Sequence, residues 1–423
     1  MTPVPVTRRD FLSAALLAPA AFAFQSGARL IGTVALGNPG GAPVPSFGRL
    51  LGSGLDARLF TDLSLLGGPA GDPAFRAGSQ ESAIRVPQSA IDPQSAVRNP
   101  QSESLVTPND RFFVRTAVPS TLTQTAPWTI RVGGLVHTPV DLALTALEPF
   151  AARGGRYLME CSGNVDQTNY GLMSAADWEG VPLGAVLDRV RPAASAYRVL
   201  VSGVDEEAAR PMTSVPGASW IFSRDDLQRA LLAVRMNGAP LPRDHGFPAR
   251  LVVPGWYGCA CIKWVDRIEL VADEAPATTQ MREFAARTHQ SPRAGPRGDG
   301  PPAAMPALAR DFTPAVIDTA AMPIRVEKWL IEGRLAYRIT GIIWGGDRPT
   351  NALSIRFRSG QPWVPVDDCP MPASTLTWSL WSHVWRPEAP GRYQIVLRVN
   401  DPAIRTRRLD IFFYVREIHI DEV

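Results

Sequence analysis

The sequence predicts an α+β domain followed by a β-sandwich. Residues 105–271 mix strand-like runs of β-branched and aromatic residues with one helix-like segment. From residue 322 onward, short alternating apolar segments follow one another every 8 to 12 residues, with turn signals between them. The chain has 423 residues, of which 45% are hydrophobic, so it can bury more than one core.

The composition excludes several classes of protein. Charged residues make up 20% of the chain and the net charge is only +3, without a Lys/Arg run, so no nucleic-acid partner is expected. Four cysteines are too few and too irregularly spaced for a disulfide scaffold. The sequence contains no C-x-x-C-H motif, so no haem is expected on this chain. Forty prolines and 35 glycines favour loops and strands over long helices.

The N-terminus resembles an export signal. Arg8 and Arg9 precede a moderately apolar run over residues 11–24, which is typical of a twin-arginine signal peptide. A short amphipathic or anchoring helix is the alternative. Residues 1–24 are therefore predicted to direct the protein to the periplasm or another extracytoplasmic space. The remaining sequence has no run long enough to span a bilayer, so no integral membrane segment is expected.

Residues 25–104 are predicted to be a lead-in and a linker. Residues 25–45 are rich in Gly, Pro and Ala and should be extended, and residues 46–66 regain apolar content. Residues 67–104 contain an imperfect Pro-Gln-Ser repeat without apolar periodicity, which indicates a linker.

The predicted α+β domain, residues 105–275, contains strands near 128–132, 197–201 and 262–271 and a helix over 224–237. The helix prediction depends on Ser223 and Asp226 as a capping box and on Gly238 as the C-terminal stop. Its apolar face would consist of Leu227, Leu231 and Val234.

The C-terminal part begins after a Pro/Ala/Gly-rich crossover, residues 276–321. The predicted strands of the sandwich, residues 322–423, lie near 324–329, 335–339, 353–357, 375–381, 393–399 and 409–415. We expect this module to serve in packing or dimerisation.

Cys161 is the first residue with candidate chemistry. An apolar strand over 157–160 delivers this thiol to a Ser-Gly-Asn turn, where backbone can approach closely. A buried structural cysteine is the alternative interpretation of the same pattern.

A second candidate segment, residues 237–258, carries polar residues among prolines and glycines that restrict the backbone. Arg243, Asp244, His245 and Arg250 lie in it, and Lys263 follows closely. Converging cations on rigid loops suit a phosphate or another anion. Structural salt bridges and a capping histidine are the alternative.

Together these segments resemble the sulfite oxidase family of molybdopterin enzymes. The resemblance is carried by the run from Asn237 to Gly255, the later Lys-Trp pair at 263–264, the upstream Cys-Ser-Gly-Asn at 161–164, and Asn-Asp-Arg-Phe-Phe-Val-Arg at 109–115. It covers most of 105–423 and a patch at 46–66. It implies a sulfite-oxidase-like molybdopterin-binding domain followed by an immunoglobulin-like dimerisation domain, and a molybdenum-molybdopterin cofactor.

The resemblance also implies roles for individual residues. Cys161 would be the thiolate ligand to molybdenum, Arg115 would act with it in catalysis, and Trp178 would form a wall of the substrate channel. The cofactor-binding set would be Phe113, Val114, Arg115, Cys161, Asp205, His245, Arg250, Cys261, Ile262 and Lys263. Family chemistry is oxygen-atom transfer on a small molecule, with electrons passing to a separate cytochrome-type partner, in a homodimer.

Three positions depart from the sulfite-oxidising pattern. Asp166 stands where those relatives have an arginine, and a carboxylate repels a sulfite dianion. Phe284 replaces the catalytic tyrosine, and Ser374 lies where a further substrate arginine is expected. A molybdenum enzyme acting on a neutral substrate, such as a sulfoxide, is therefore an alternative.

Two other classes also stay open at this point. One is a cysteine hydrolase with Cys161 as nucleophile and His245 as base. The other is a non-catalytic exported binding protein.

Overall fold

The computed structural model describes residues 28–67, 105–120, 122–123, 127–164, 170–204, 218–285 and 306–423. The predicted signal peptide and nearly all of the Pro-Gln-Ser linker lie outside these ranges, as do Asp166 and Asp205. In the described part of the chain, no helix is long and apolar enough to cross a membrane.

Strands dominate the fold. The eighteen strands of the described ranges are β1 Ala28–Val34, β2 Thr129–Gly134, β3 Val140–Ala143, β4 Ala152–Glu160, β5 Met173–Pro182, β6 Arg198–Gly203, β7 Ser219–Ser223, β8 Leu231–Met236, β9 Ala239–Pro240, β10 Arg250–Val252, β11 Val265–Val271, β12 Ala320–Ile331, β13 Arg334–Trp344, β14 Leu353–Arg356, β15 Val364–Pro365, β16 Ser379–Trp385, β17 Gly391–Val399 and β18 Arg416–Ile420. The α-helices of the same ranges are short: α1 Leu144–Leu147, α2 Leu183–Arg189 and α3 Thr279–Glu283. The architecture is thus mostly β, with less helix than an α+β prediction suggests.

Two five-stranded sheets make up the catalytic part. The first has the order β3-β2-β11-β6-β7 and pairs β2 with β11 in parallel. The second has the path β10-β8-β5-β4, with β9 attached to β8. The strands predicted near 128–132, 197–201 and 262–271 are confirmed as β2, β6 and β11.

The helix predicted over 224–237 is wrong. Ser223 and Asp226 do make the reciprocal hydrogen bonds of a capping box, with Ser223 Oγ donating to Asp226 Oδ2 at 2.7 Å and Asp226 N donating to Ser223 Oγ at 3.1 Å. They hold a turn, however, and Leu231–Met236 becomes strand β8 between β5 and β10. Asn237 and Gly238, with φ of 54° and 77°, form the tight turn into β9.

Two four-stranded sheets form the C-terminal part, in the orders β1-β12-β13-β16 and β15-β14-β17-β18. Trp385 connects them, since its ring stacks on Phe357 at 4.0 Å and meets Tyr393 edge-on at 4.7 Å. Of the six predicted strands, two are misplaced. The strand predicted at 375–381 begins only at Ser379, as β16, and the segment 409–415 contains a 3-10 turn, Phe412–Tyr414, before the last strand begins at Arg416. An immunoglobulin-like topology stays a prediction.

The lead-in is tied to both parts of the molecule. Strand β1 pairs antiparallel with β12, from Ala28 opposite Ile331 to Val34 opposite Val326. Leu59 exchanges two backbone hydrogen bonds with Val114, of 2.9 and 3.0 Å. Residues 28–67 therefore pack as part of the fold and bring Arg58 near the loop that carries Arg115.

Candidate active site

One large pocket gathers most of the candidate residues. The space inside it, counted together with the open solvent at its mouth, is about 820 Å³. Separate chain segments supply its wall: Phe113, Arg115, Thr116, Cys161, Ser162, Ala218, Asp244, His245, Arg250, Gly258, Cys259, Cys261, Ile262, Lys263, Trp264, Gln280 and Phe284. The motifs that are far apart in sequence thus meet at one place.

Cys161 lies at the end of β4, in the floor of this pocket. Its backbone N donates to Leu172 O at 2.9 Å, its carbonyl accepts from Asn164 N at 2.9 Å, and Gly163 N donates to its Sγ at 3.3 Å. The turn therefore fixes the backbone and directs an amide to the sulfur. Burial raises the pKa of the Cys161 thiol, and the positive charge of Arg115 opposes that rise. Binding of a soft metal ion is one way to keep such a sulfur deprotonated.

Arg250 is a buried cation without a carboxylate partner among the described residues. Its guanidinium donates to the carbonyls of His245 at 3.3 Å and Cys261 at 3.4 Å, and its Nε has no hydrogen-bond partner in this structure. Burial lowers its pKa to about 10. A buried charge that meets only neutral groups is costly, and an anionic ligand would offset that cost.

Lys263 adds a second positive charge to the same side of the pocket. Its Nζ donates to Asp244 O at 2.9 Å and also to Thr116 O, and it lies 4.4 Å from the centre of the Trp264 ring. Both hydrogen-bond acceptors are backbone carbonyls. Lys263 therefore joins two loops of the pocket wall and places a positive charge beside the cavity.

His245 is neutral in this environment. Burial, Lys263 and Arg250 together lower its pKa to about 3. Its Nε2 lies 3.0 Å from Asn109 O, and because a carbonyl only accepts, Nε2 carries the proton. An imidazole with so low a pKa is a poor general base, which disfavours the cysteine hydrolase hypothesis.

Two of the sequence-predicted residues do not reach the pocket. Trp178 is fully buried, 5.8 Å from the Phe112 ring and 5.7 Å from the Arg250 guanidinium, so it packs beneath the site instead of forming its wall. Val114 belongs to a separate small cluster with Ala57, Leu59 and Ala117. The alternation of strand-like backbone explains this: Phe113 and Arg115 face the pocket, so Val114 faces the other way.

Of the two described residues that depart from the sulfite-oxidising pattern, one lines the pocket and the other does not. Phe284 lines the pocket, so an apolar ring stands there without a hydroxyl. Ser374 does not line it, and its Oγ accepts a hydrogen bond from Leu376 N at 3.0 Å.

Arg58 is a basic residue beside the site that the sequence did not indicate. Its Nη1 donates to Arg115 O at 3.2 Å and to Ala57 O at 2.9 Å. Burial and the nearby Arg115 lower its pKa to about 10, and Cys161 acts in the opposite direction. The sequence pattern marked residues 46–66 as ordered, but it contained no spacing that connected Arg58 to Cys161.

The residues fit a molybdopterin cofactor. In the ranges that the structure covers, no group of three or more His, Cys, Asp or Glu side chains could hold a metal ion alone. A dithiolene-bound metal brings most of its own ligands and would need a single protein sulfur, such as that of Cys161. Arg250 and Lys263 supply positive charge suited to the phosphate of such a cofactor.

Comparisons with known proteins agree with this geometry. The model of the oxidoreductase molybdopterin binding domain family matches residues 115–279. Sulfite oxidase of Gallus gallus is 26% identical over 79% of this chain and 73% of its own, and the mitochondrial sulfite oxidase of Mus musculus is 28% identical over 74% of this chain. This chain spans only 57% of the length of the mouse protein.

A solved structure has a similar fold. It is the sulfane dehydrogenase SoxCD from Paracoccus pantotrophus, with a TM-score of 0.53 and 19% identity, over 76% of this chain and 79% of that one. The pocket chemistry, the family model and these relatives agree: the protein is an oxidoreductase enzyme with a molybdopterin-binding domain, and it is similar to the sulfite oxidase family of molybdopterin-dependent oxidoreductases.

Proposed function

We propose that this protein is an exported molybdenum-cofactor enzyme that catalyses oxygen-atom transfer in the manner of a sulfite dehydrogenase. The observation that carries the proposal is the presence of Cys161 and Arg115 in one buried pocket with Arg250 and Lys263. When bound, the cofactor would supply the oxo group and accept two electrons. Sulfite is the first substrate to test because the relatives in the comparison are sulfite oxidases.

Each side chain would have a role that follows from its position in or beside the pocket. Cys161 would hold the metal through its sulfur, and Arg250 and Lys263 would bind the phosphate end of the cofactor. Arg115 would attract and orient an anionic substrate beside Cys161, and Arg58 would hold the carbonyl of Arg115 in place. Phe284 would keep water away from that side of the pocket without donating a proton.

The electrostatics around Arg115 favour weak binding of a sulfite dianion. Burial lowers the pKa of Arg115, while Cys161, Asp56 and Glu283 act in the opposite direction, so the two carboxylates already neutralise part of its positive field. We therefore expect sulfite oxidation, with ferricyanide or a cytochrome c as acceptor, to show a high Michaelis constant. Saturation at low micromolar sulfite would contradict this view of the pocket.

A neutral substrate is the second candidate, favoured by Phe284 in the pocket wall. It is tested by sulfoxide reduction with a chemical electron donor on molybdenum-loaded protein. Arg115→Met separates the two candidates, because it should raise the Michaelis constant for sulfite while leaving that for a neutral sulfoxide nearly unchanged.

Molybdenum and pterin analysis tests the class itself. Purified protein without molybdenum and without pterin fluorescence after oxidation would overturn the proposal. Cys161→Ser should lower turnover by at least ~100-fold. Removal of a residue that only supports a metal ligand already lowers activity by about 10- to 100-fold, and Cys161 would be the ligand itself. A non-catalytic binding protein would keep its ligand affinity in that variant.

Location and partners complete the proposal. Arg8 and Arg9 would direct export by the twin-arginine route, and Arg8→Lys with Arg9→Lys should leave the protein in the cytoplasmic fraction. We propose a separate cytochrome as electron acceptor and a homodimer formed through the C-terminal part.

A further inference from the structure

The residue before Cys161 carries a buried charge. Glu160 is the last residue of β4 and has no exposed surface. Its carboxylate accepts four hydrogen bonds: Arg407 Nη1 to Oε1 at 2.6 Å, Arg407 Nη2 to Oε2 at 2.7 Å, Trp344 Nε1 to Oε2 at 2.9 Å and Asn164 Nδ2 to Oε1 at 3.0 Å. Both oxygens are thus fully occupied.

Two of these donors come from the C-terminal part of the chain. Arg407 follows β17, and Trp344 ends β13. Arg407 is buried between the rings of Tyr257 and Trp344, 5.3 and 5.8 Å from their centres, and also donates to the Tyr414 hydroxyl at 2.8 Å. Trp344 and Tyr414 of the C-terminal part therefore hold Arg407 in place for its bidentate contact with Glu160.

The third donor belongs to the turn around Cys161. Asn164 contacts Glu160 through its side chain and the Cys161 carbonyl through its backbone N. Gly258 packs on the same peptide, since a Cβ there would lie 3.2 Å from Glu160 O. The Glu160 carboxylate thus fixes both ends of the turn that presents the sulfur.

We propose that Arg407 is a positioning residue, which holds Cys161 in the pocket through its paired hydrogen bonds to the buried Glu160 carboxylate. The inference rests on the proposed role of Cys161 as metal ligand. It gives the C-terminal part a direct influence on the metal site, beyond packing or dimerisation.

The test compares Arg407→Met with Arg405→Met in the full chain. Arg405 lies two residues away and makes a 2.7 Å ion pair with Asp318, but its side chain is 63% exposed and does not reach Glu160. The first readout is the rate at which iodoacetamide alkylates Cys161 in cofactor-free protein, resolved by mass spectrometry. The second is the sulfur-to-molybdenum absorption of the loaded protein.

We expect Arg407→Met to accelerate alkylation of Cys161 on the order of tenfold, to alter the absorption and to lower kcat more than it changes KM. Arg405→Met should leave all three at wild-type values. Folded Arg407→Met with wild-type alkylation and absorption would overturn the inference.

The double variant Glu160→Gln with Arg407→Met covers the case in which Arg407→Met does not fold, because it leaves no unpaired buried charge. It should fold and show the same faster alkylation, and wild-type alkylation in this variant would also overturn the inference. If wild-type protein binds no molybdenum, the proposed function fails, while the alkylation rates still decide the role of Arg407.

Discussion

At the scale of single residues, the pocket combines buried cations with carbonyl acceptors. Arg250 contacts two carbonyls and has one nitrogen without a partner, so its charge is uncompensated within the described part of the pocket. The Arg250 side chain is therefore suited to binding an anionic ligand, while its unpaired charge lowers the stability of the protein without that ligand.

We predict opposite effects of Arg250→Met on cofactor retention and on stability. Pterin retention should fall by about 10- to 100-fold, which corresponds to the loss of a charge-assisted hydrogen bond. The melting temperature of cofactor-free protein should stay equal or rise, because a buried unpaired charge disappears. Pterin fluorescence after gel filtration and thermal unfolding measure the two quantities.

Arg243→Met is the matched control. Its exposed side chain donates to Leu122 O outside the pocket, so both measurements should stay near wild type. Equal retention of pterin by the Arg250 and Arg243 variants would contradict the phosphate role.

His245 should make the cofactor-free protein sensitive to acid. Its folded pKa of about 3 lies below the unfolded value of 6.5, so the unfolded chain binds more protons between these values. The contribution of His245 to stability is complete above about pH 6.5 and is lost as the pH falls toward 3, with a slope of up to ~1.4 kcal/mol per pH unit.

Urea unfolding of wild type and His245→Gln at pH 4.5, 5.5 and 7 measures this contribution. The difference between the two free energies of unfolding isolates His245, because the other titrating groups contribute equally to both proteins. The wild-type free energy of unfolding should fall more steeply with acid. Parallel curves would show that His245 does not titrate as its burial implies.

The cations on rigid Pro/Gly loops predicted an anion site with His245 and Lys263, and the turn after the strand marked Cys161, whereas Phe113 and Arg115 were implied only by the family resemblance. Phe113, Arg115, Cys161, His245 and Lys263 do line one cavity. Arg58 and Arg407 could not be predicted, because each reaches the site through contacts between segments far apart in the chain.

At the scale of elements, strand β8 shows where local patterns mislead. Its apolar run, Leu231–Met236, fits either a buried strand or a helix face. The capping box upstream of it was the reason for predicting a helix. Asn237-Gly238 is also a strong signal for a two-residue hairpin. Pairing with β5 and β10 on both sides decides in favour of a strand, and that pairing is not visible in a single segment.

Glycines at the ends of elements give a prediction at this scale. A Cβ at Gly203, the last residue of β6, would overlap the carbonyl oxygen of Lys263. Gly203→Ala should therefore lower the free energy of unfolding by roughly 1 to 3 kcal/mol and loosen pterin binding by displacing Lys263. Denaturant unfolding and pterin retention measure both effects.

Gly184→Ala is the control within helix α2. A Cβ added at Gly184 would meet nothing within 4 Å, so alanine should be neutral or stabilise the protein by up to ~1 kcal/mol. Equal destabilisation by both substitutions would show that contact with Lys263 is not the cause.

At the scale of the whole molecule, the C-terminal part contacts Glu160, the residue before Cys161, through Trp344 and Arg407. Of the seven strands between residues 320 and 420, four could be predicted in place from alternation and turn spacing: β12, β13, β14 and β17. The buried contact of Arg407 with Glu160 could not, because it depends on how two separately predicted parts dock.

The proposed homodimer gives the prediction at this scale. Light scattering at micromolar concentration should report about twice the monomer mass, and removal of the C-terminal part should abolish association. A monomer at that concentration would contradict a dimerisation role for the C-terminal sheets.

Strand β1 has a consequence for biosynthesis. Its partner β12 lies about 300 residues later, so a ribosome adding 5 to 20 residues per second needs roughly 15 to 60 s to make it. During that interval β1, with Leu30 and Ile31 still exposed even in the finished fold, has no strand to pair with. The segment next to the proposed export signal can therefore pair only after the catalytic part has been synthesised.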